Sequence, residues 1–160
     1  MTQITAATAT FTRPNDTNAY TIGDLVADNT TAGSVHPMQF TLPTANFKLQ
    51  RVGLVKSAAS NTNATFRLHM YSAGPTVSNG DNGSWLTTAS SYLGDVDIDA
   101  TLRAFSDTAQ GFGLFATSDV PVYLAINPAT LLIYALLEAR GAYTPAANEI
   151  FTLSLFGETY

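Results

Sequence analysis

Asp95, Asp97 and Asp99 are the constellation in this 160-residue chain whose spacing most suggests chemistry. On a β-strand, residues i, i+2 and i+4 share a face, so the three carboxylates would project together. Hard oxygen ligands of this kind suit calcium. A helix–loop–helix calcium loop counted from Asp95, however, needs glycine sixth and glutamate twelfth, where the chain has Ala100 and Ser106. The segment therefore reads as a solvated acidic face opposite Val96 and Ile98. A glycosidase working with paired carboxylates would need an aromatic-lined sugar cleft as well, and the sequence does not place one.

The remaining reactive residue types are sparse. The two histidines, His36 and His69, are far apart and lack a partner histidine at metal-ligand spacing, so each reads as a surface or interface residue. No nucleophile elbow, phosphate loop or Cys-His pair is present. Trp85 sits in the loop sequence Gly83-Ser84-Trp85-Leu86, with two readings open: an anchor for a carbohydrate or protein partner, or a cap folded over one end of the body.

Composition bounds the rest. Charged residues make up 12% of the chain against 46% apolar, about half the usual charged share. Thr, Ser, Asn and Ala fill the deficit, a composition suited to permanent packing against neighbours and equally to a Thr-rich sandwich. A formal charge of −5 argues against a nucleic-acid partner, which requires a cationic face. The close cations Lys48, Arg51 and Lys56 lie along one expected strand. With no cysteine, stability must come from packing or assembly. The first residues, Met-Thr-Gln-Ile, lack a basic and then apolar leader, so folding in a cytoplasm is expected. No run approaches the eighteen apolar residues of a spanning helix, and no membrane partner is expected.

Elements with a two-residue period must position these side chains. Thr62–Ser72 alternates Ala64, Phe66, Leu68 and Met70 with Thr65, Arg67, His69 and Tyr71. Phe47–Ser57 changes parity between Leu49 and Val52, which predicts a β-bulge near Arg51. Thr17–Ala27 predicts a strand bent at Gly23, and Val35–Leu42 an edge strand interrupted by Pro37. The segment 3–13 reads as a weak strand, with 1–14 able to serve as an extended arm that is mobile in the free protein. An irregular stretch spans 73–91. Strands resume at 92–99, 113–117, 120–127, 130–140 and 149–156, and 100–110 forms a short helix or a crossover. Segment 131–140 has a rival helical reading. Strand is preferred, because Leu131, Ile133, Ala135 and Leu137 alternate and a hairpin turn follows. Nine or ten strands at intervals of roughly 8–15 residues predict one all-β domain over 1–160, a jelly-roll-like antiparallel β-sandwich.

Several segments carry a resemblance. The early run Tyr20-Thr21-Ile22-Gly23-Asp24-Leu25-Val26 is followed by Leu49-Gln50-Arg51-Val52-Gly53-Leu54. Then come Phe66-Arg67-Leu68-His69-Met70-Tyr71-Ser72 with Pro75 close behind. Near the end stands Arg140-Gly141-Ala142-Tyr143-Thr144-Pro145-Ala146-Ala147, then a last apolar strand. Over roughly residues 20–156 this layout resembles the head decoration or cement proteins of tailed bacteriophages. It departs from them in the long loop 74–91. The resemblance implies a jelly-roll or similar sandwich that binds the outside of a capsid, commonly as trimers at local symmetry axes. The partners would be a major capsid protein and other copies of the chain, the location the virion, with no enzymatic activity, cofactor or metal. Candidate interface residues are Ile4, Phe11 and Arg13 on the arm, His36 on the edge strand, the Arg67, His69 and Tyr71 face, and Trp85.

Two other classes of function remain. A carbohydrate- or receptor-binding module of a phage head fibre or tail would gather aromatics around Trp85 and Tyr92. A metal- or carboxylate-dependent enzyme would use Asp95, Asp97 and Asp99.

Overall fold

Strict alternation of large apolar with polar residues requires a sheet whose two faces meet different surroundings. The computed structural model, which describes residues 4–84, 90–98, 102–114, 122–123 and 126–159, meets that requirement with two packed antiparallel sheets. The strands are β1 (Ile4–Thr12), β2 (Leu25–Val26), β3 (Met38–Thr41), β4 (Phe47–Lys56), β5 (Phe66–Tyr71) and β6 (Tyr92–Ile98). They continue with β7 (Arg103–Ala104), β8 (Ala109–Leu114), β9 (Val122–Tyr123), β10 (Leu132–Ala139) and β11 (Ile150–Thr159).

The first sheet runs β1-β11-β4-β8-β7, with β9 beside β4, and the second β2-β10-β5-β6, with β3 beside β10. Four nested antiparallel pairs account for this order: β1 with β11, β3 with β10, β4 with β8, and β5 with β6. Rolling that ribbon brings β11 against β4 and β10 against β5. This is the jelly-roll winding, and it places the first and last long strands side by side. The chain is an all-β, jelly-roll-like sandwich.

Inward-facing side chains of both sheets form one core. Phe66 stands edge-on to both Tyr143 and Phe151, with ring centroids 5.6 and 5.5 Å away, and Phe11 stacks on Phe151 at 5.4 Å. The expected parity change in β4 is a bulge: Leu49 opposes Gly157 while Arg51 opposes Phe156, leaving Gln50 as the extra residue. Glycine is required at 157, because a Cβ there would come within 2.3 Å of the Lys48 carbonyl oxygen. Beyond the bulge the inward row is Val52, Leu54 and Lys56, all buried.

Several expectations change. Residues 4–12, expected as a mobile arm, form the edge strand β1, in unbroken register with β11 from Ile4↔Glu158 to Thr12↔Ile150. Ala7 and Phe11 pack into the core, and that burial holds the strand within its own chain. The strand expected over 17–27 reduces to Leu25–Val26. Gly23 adopts φ +94° and Asp24 accepts hydrogen bonds from the Thr21 N–H and hydroxyl, so a turn replaces the ladder. Within 102–110 the chain forms the β7–β8 hairpin, closed by the Phe105 N–H on the Thr108 carbonyl, and not a helix. The segment 131–140 is a strand, because β10 pairs with β5 on one side and with β2 and β3 on the other, which no helix does. The edge strand after Pro37 is β3, with Met38 and Phe40 turned inward.

Phe66→Ala is expected to cost about 3–5 kcal/mol of stability through the cavity it leaves. The check is a denaturant melt, in which the midpoint should fall while the slope stays unchanged.

Candidate functional site

The sandwich presents two outer faces of opposite character. On the first sheet, Thr8 hydrogen-bonds Ser154 at 2.9 Å and Thr10 bonds Thr152 at 3.0 Å across β1 and β11. The same rows continue through Gly53 and Val55 on β4, with Gln110 of β8 opposite Val55. Thr12 and Ile150 extend the face at one end, and Ile150 is 42% exposed. Among the described residues, charges enter this face on the β7 edge, where Arg103 stands opposite Gln110, and at the other end. There Lys48 stands opposite Glu158, and the Arg51 guanidinium lies 4.4 Å from the Phe156 ring centre.

The outer face of the second sheet is a charged ladder across β10, β5 and β6. Arg67 grips Asp97 with two hydrogen bonds, 2.6 and 2.8 Å, and lies 3.5 Å from Asp95. His69 Nε2 is 2.8 Å from Glu138, whose other oxygen accepts from Arg140 at 3.0 Å. Tyr92 donates to Asp95 and lies against the rings of His69 and Tyr71. The Arg67 hydrogen bonds hold the Asp97 carboxyl below the usual carboxylate range. Burial, then the neighbouring Asp95, pushes the Tyr92 hydroxyl above its ordinary value. Asp95 and Asp97 are thus a neutralised ladder opposite the buried Val96 and Ile98, and Asp99 lies outside the described residues. Among the described residues, no cluster of three His, Asp or Glu has metal-binding geometry.

A groove of about 510 Å³ runs along the side of the sandwich between β1 and β3. Phe11 and Thr12 form one wall, Pro37 and Gln39 the other. His36 stands at its rim with its side chain 81% exposed, its Nδ1 2.7 Å from the Asp28 carboxylate.

The residues expected at an interface therefore disperse. Arg67, His69 and Tyr71 do share one face of β5, but His69 is buried between Glu138 and Tyr92, and Tyr71 is buried as well. It belongs to a second apolar cluster with Leu25, Ala27 and Leu136. Phe11 and His36 meet at the groove, and Ile4 lies at the start of β1. Arg13 is buried, so it is part of the interior and not of a surface contact. Trp85 lies outside the described residues.

Arg13 belongs to a buried polar belt that sequence reasoning missed. Its guanidinium meets Asp81 at 2.7 Å with both side chains fully buried. Tyr20 receives a hydrogen bond from Arg13 Nε and donates to Asp81 at 2.6 Å, and the Ala27 N–H donates to the same carboxylate at 2.8 Å. The Tyr20 ring stacks on Tyr143, whose hydroxyl donates to Glu149. Glu149 in turn meets Lys56 at 3.0 Å, again with both side chains fully buried. Burial, then the Asp81 charge, pushes the Tyr20 hydroxyl well above its ordinary value, so it acts as a permanent donor. One signal was legible: Lys56 falls on the inward parity of β4 once the bulge is counted.

No protein-family model matches the chain, and no curated protein does. Among solved structures it is similar to a provisionally assigned glycoside hydrolase of Bacteroides thetaiotaomicron, at 14% identity and a TM-score of 0.31. That likeness covers 76% of this chain and spans 40% of the other. A protein of unknown function from Shewanella oneidensis has 13% identity and a TM-score of 0.29, covering 99% of this chain and 88% of that one. Triatoma virus follows at 11% identity and a TM-score of 0.25, covering 99% and 64%.

Asp81→Ala should cost about 3–5 kcal/mol, because the Arg13 charge is left buried without its partner. Replacing the pair together, as Arg13→Met with Asp81→Leu, should recover most of that loss in the same melting experiment. On the second face, Arg67→Ala should return the Asp97 carboxyl toward its ordinary value near about 3.9, read by carboxyl NMR titration. Because the folded Asp97 pKa is lowered, its stabilisation is present above about pH 4 and lost as pH falls through the folded value. With Asp97 partly exposed, the loss should be small, roughly 0.2–1 kcal/mol.

Proposed function

We propose that this chain is a virion structural protein that seats its first sheet on the outer surface of a tailed-bacteriophage capsid and stabilises the shell. The observation that carries the reading is the unequal division of charge between the two sheets. A broad, nearly uncharged face of Thr, Ser, Val and Ile side chains suits a permanent protein interface, where charged residues are depleted. The opposite face, bearing Arg67, Asp95, Asp97 and Arg140, suits contact with water and keeps an acidic particle surface soluble. The partners are then the major capsid protein and further copies of the chain, and the location is the virion surface. Many identical sites on one shell would multiply a modest individual affinity. No catalytic step is assigned. Asp95 and Asp97, engaged by Tyr92 and Arg67, serve as a structural ladder and not as an acid–base pair.

A second reading, a carbohydrate- or receptor-binding module, is favoured by the groove with Phe11, Asp28, His36 and Gln39. Aromatic and polar groups side by side are what a sugar ring requires.

Co-sedimentation with purified capsids separates the two. The protein is expected to saturate the shell, and Thr152→Lys, which places a charge in the centre of the uncharged face, should reduce retention at least about tenfold. Protein that stays in the supernatant but is retained on a glycan array, with retention lost in Asp28→Ala, overturns the capsid reading.

A further inference from the structure

A sheet edge exposes unpaired N–H and C=O groups, and proteins that stay apart protect their edges with short strands, proline, bulges or charge. Among the described residues, three of the four sandwich edges carry one of these devices. On the second sheet, β6 carries Asp95 and Asp97 and is bulged at Leu93, between the Tyr71↔Tyr92 and Met70↔Gly94 pairs. The opposite edge of that sheet is split into the short strands β2 and β3, with Pro37 directly before β3. On the first sheet, one edge ends in β7, two residues long and carrying Arg103. The fourth edge, β1, has none of these devices. It is nine residues, Ile-Thr-Ala-Ala-Thr-Ala-Thr-Phe-Thr, without charge, proline or bulge.

We infer that β1 pairs antiparallel with β1 of a second copy, about a two-fold axis at Thr8, joining the two first sheets into one. The Arg13 N–H donates to the Glu149 carbonyl at 2.9 Å, which fixes the alternation along the strand. Odd-numbered residues therefore direct their backbone groups to β11, and Ala6, Thr8, Thr10 and Thr12 direct theirs to the open edge. Pairing centred on Thr8 sets Thr8 against Thr8 and Ala6 against Thr10 of the other copy, with about ten inter-chain N–H···O bonds. A two-fold contact sets the residues at its axis beside their own images, so a strand charged there would repel itself. An uncharged one is self-compatible, and in an acidic chain this is where two copies can approach. Only small side chains, Ala and Thr, lie near the axis, and the Thr8–Ser154 hydroxyl row continues across it. The groove beside Ala9–Thr12 leaves open space along the strand. The pairing stands or falls separately from the capsid reading, because it concerns the free protein.

Light scattering on the purified full chain should give twice the chain mass. Thr8→Lys sets two like charges directly opposite and should give the single mass, while Thr152→Lys, one strand in from the edge, should leave the doubled mass intact. Amide exchange on the unmodified protein guards against misfolding of the variant. The Thr8 and Thr10 amides should slow by more than about tenfold between dilute and concentrated samples, while those of Ala7 and Ala9 stay unchanged. A single or trebled mass for the unmodified chain, a doubled mass that survives in folded Thr8→Lys, or fast Thr8 exchange at high concentration overturns the inference.

Discussion

The buried Arg13–Asp81 ion pair governs how the loops of this sandwich are tied to its strands. Arg13 follows β1 immediately, Tyr20 lies on the segment toward β2, and Asp81 comes from the long loop between β5 and β6. Two full charges removed from water at such a site must satisfy each other closely. Any opening of the loop would strand one of them in an apolar interior. Residues 80–83 of that loop are consequently docked against the segment 25–30. The Asp81 N–H donates to Asn29, and Gly80 is so close to Thr30 that a Cβ would lie 2.1 Å from its carbonyl. Through the Tyr20–Tyr143 stack the constraint reaches Glu149 and Lys56. One polar belt thereby fixes the ends of β1, β4 and β11 together.

That belt frees the outer faces from structural duty. With the interior charges paired, the first sheet can present a nearly neutral surface without losing the fold, and the second can hold its ladder in water. The two faces contribute differently. Exposed ion pairs such as Arg67–Asp97 add little stability and act mainly on solubility and on which surfaces refuse to associate. The Thr and Ser rows of β1 and β11 are uncharged, and their threonines are β-branched and stiff. They therefore offer a flat surface that gains from being covered.

Chain order has a further consequence. Because a jelly roll pairs its first strand with its last, β1 is an edge by topology, whatever its sequence. Its side chains decide only whether that edge is protected. The contrast between this strand and β6, which carries Asp95 and Asp97, links the fold to association.

The all-β class, the bulge near Arg51, the edge strand after Pro37 and the strand over 131–140 were legible in the sequence. Each follows from local rules, namely side-chain alternation, a parity change, or a proline that cannot donate to a ladder. The face shared by Arg67, His69 and Tyr71 was legible for the same reason, since residues two apart on a strand point the same way. What lay beyond reach depended on contacts between distant parts of the chain. Arg13 and Asp81 stand 68 residues apart, and Lys56 and Glu149 stand 93 apart. No periodicity connects such pairs, so charged residues that look like surface groups proved to be interior. Tyr71 was buried by loops packing on the outside of its sheet, which alternation within one strand cannot show. The same limit applied to β1: weak, small-residue alternation marked a strand, but only the rolling of the ribbon gave it a partner within its own chain. Sequence by itself determined which segments extend and which side of each is apolar, because those are nearest-neighbour properties. Tertiary structure alone decided which charges are buried and which edge stays open, because those depend on where remote segments meet.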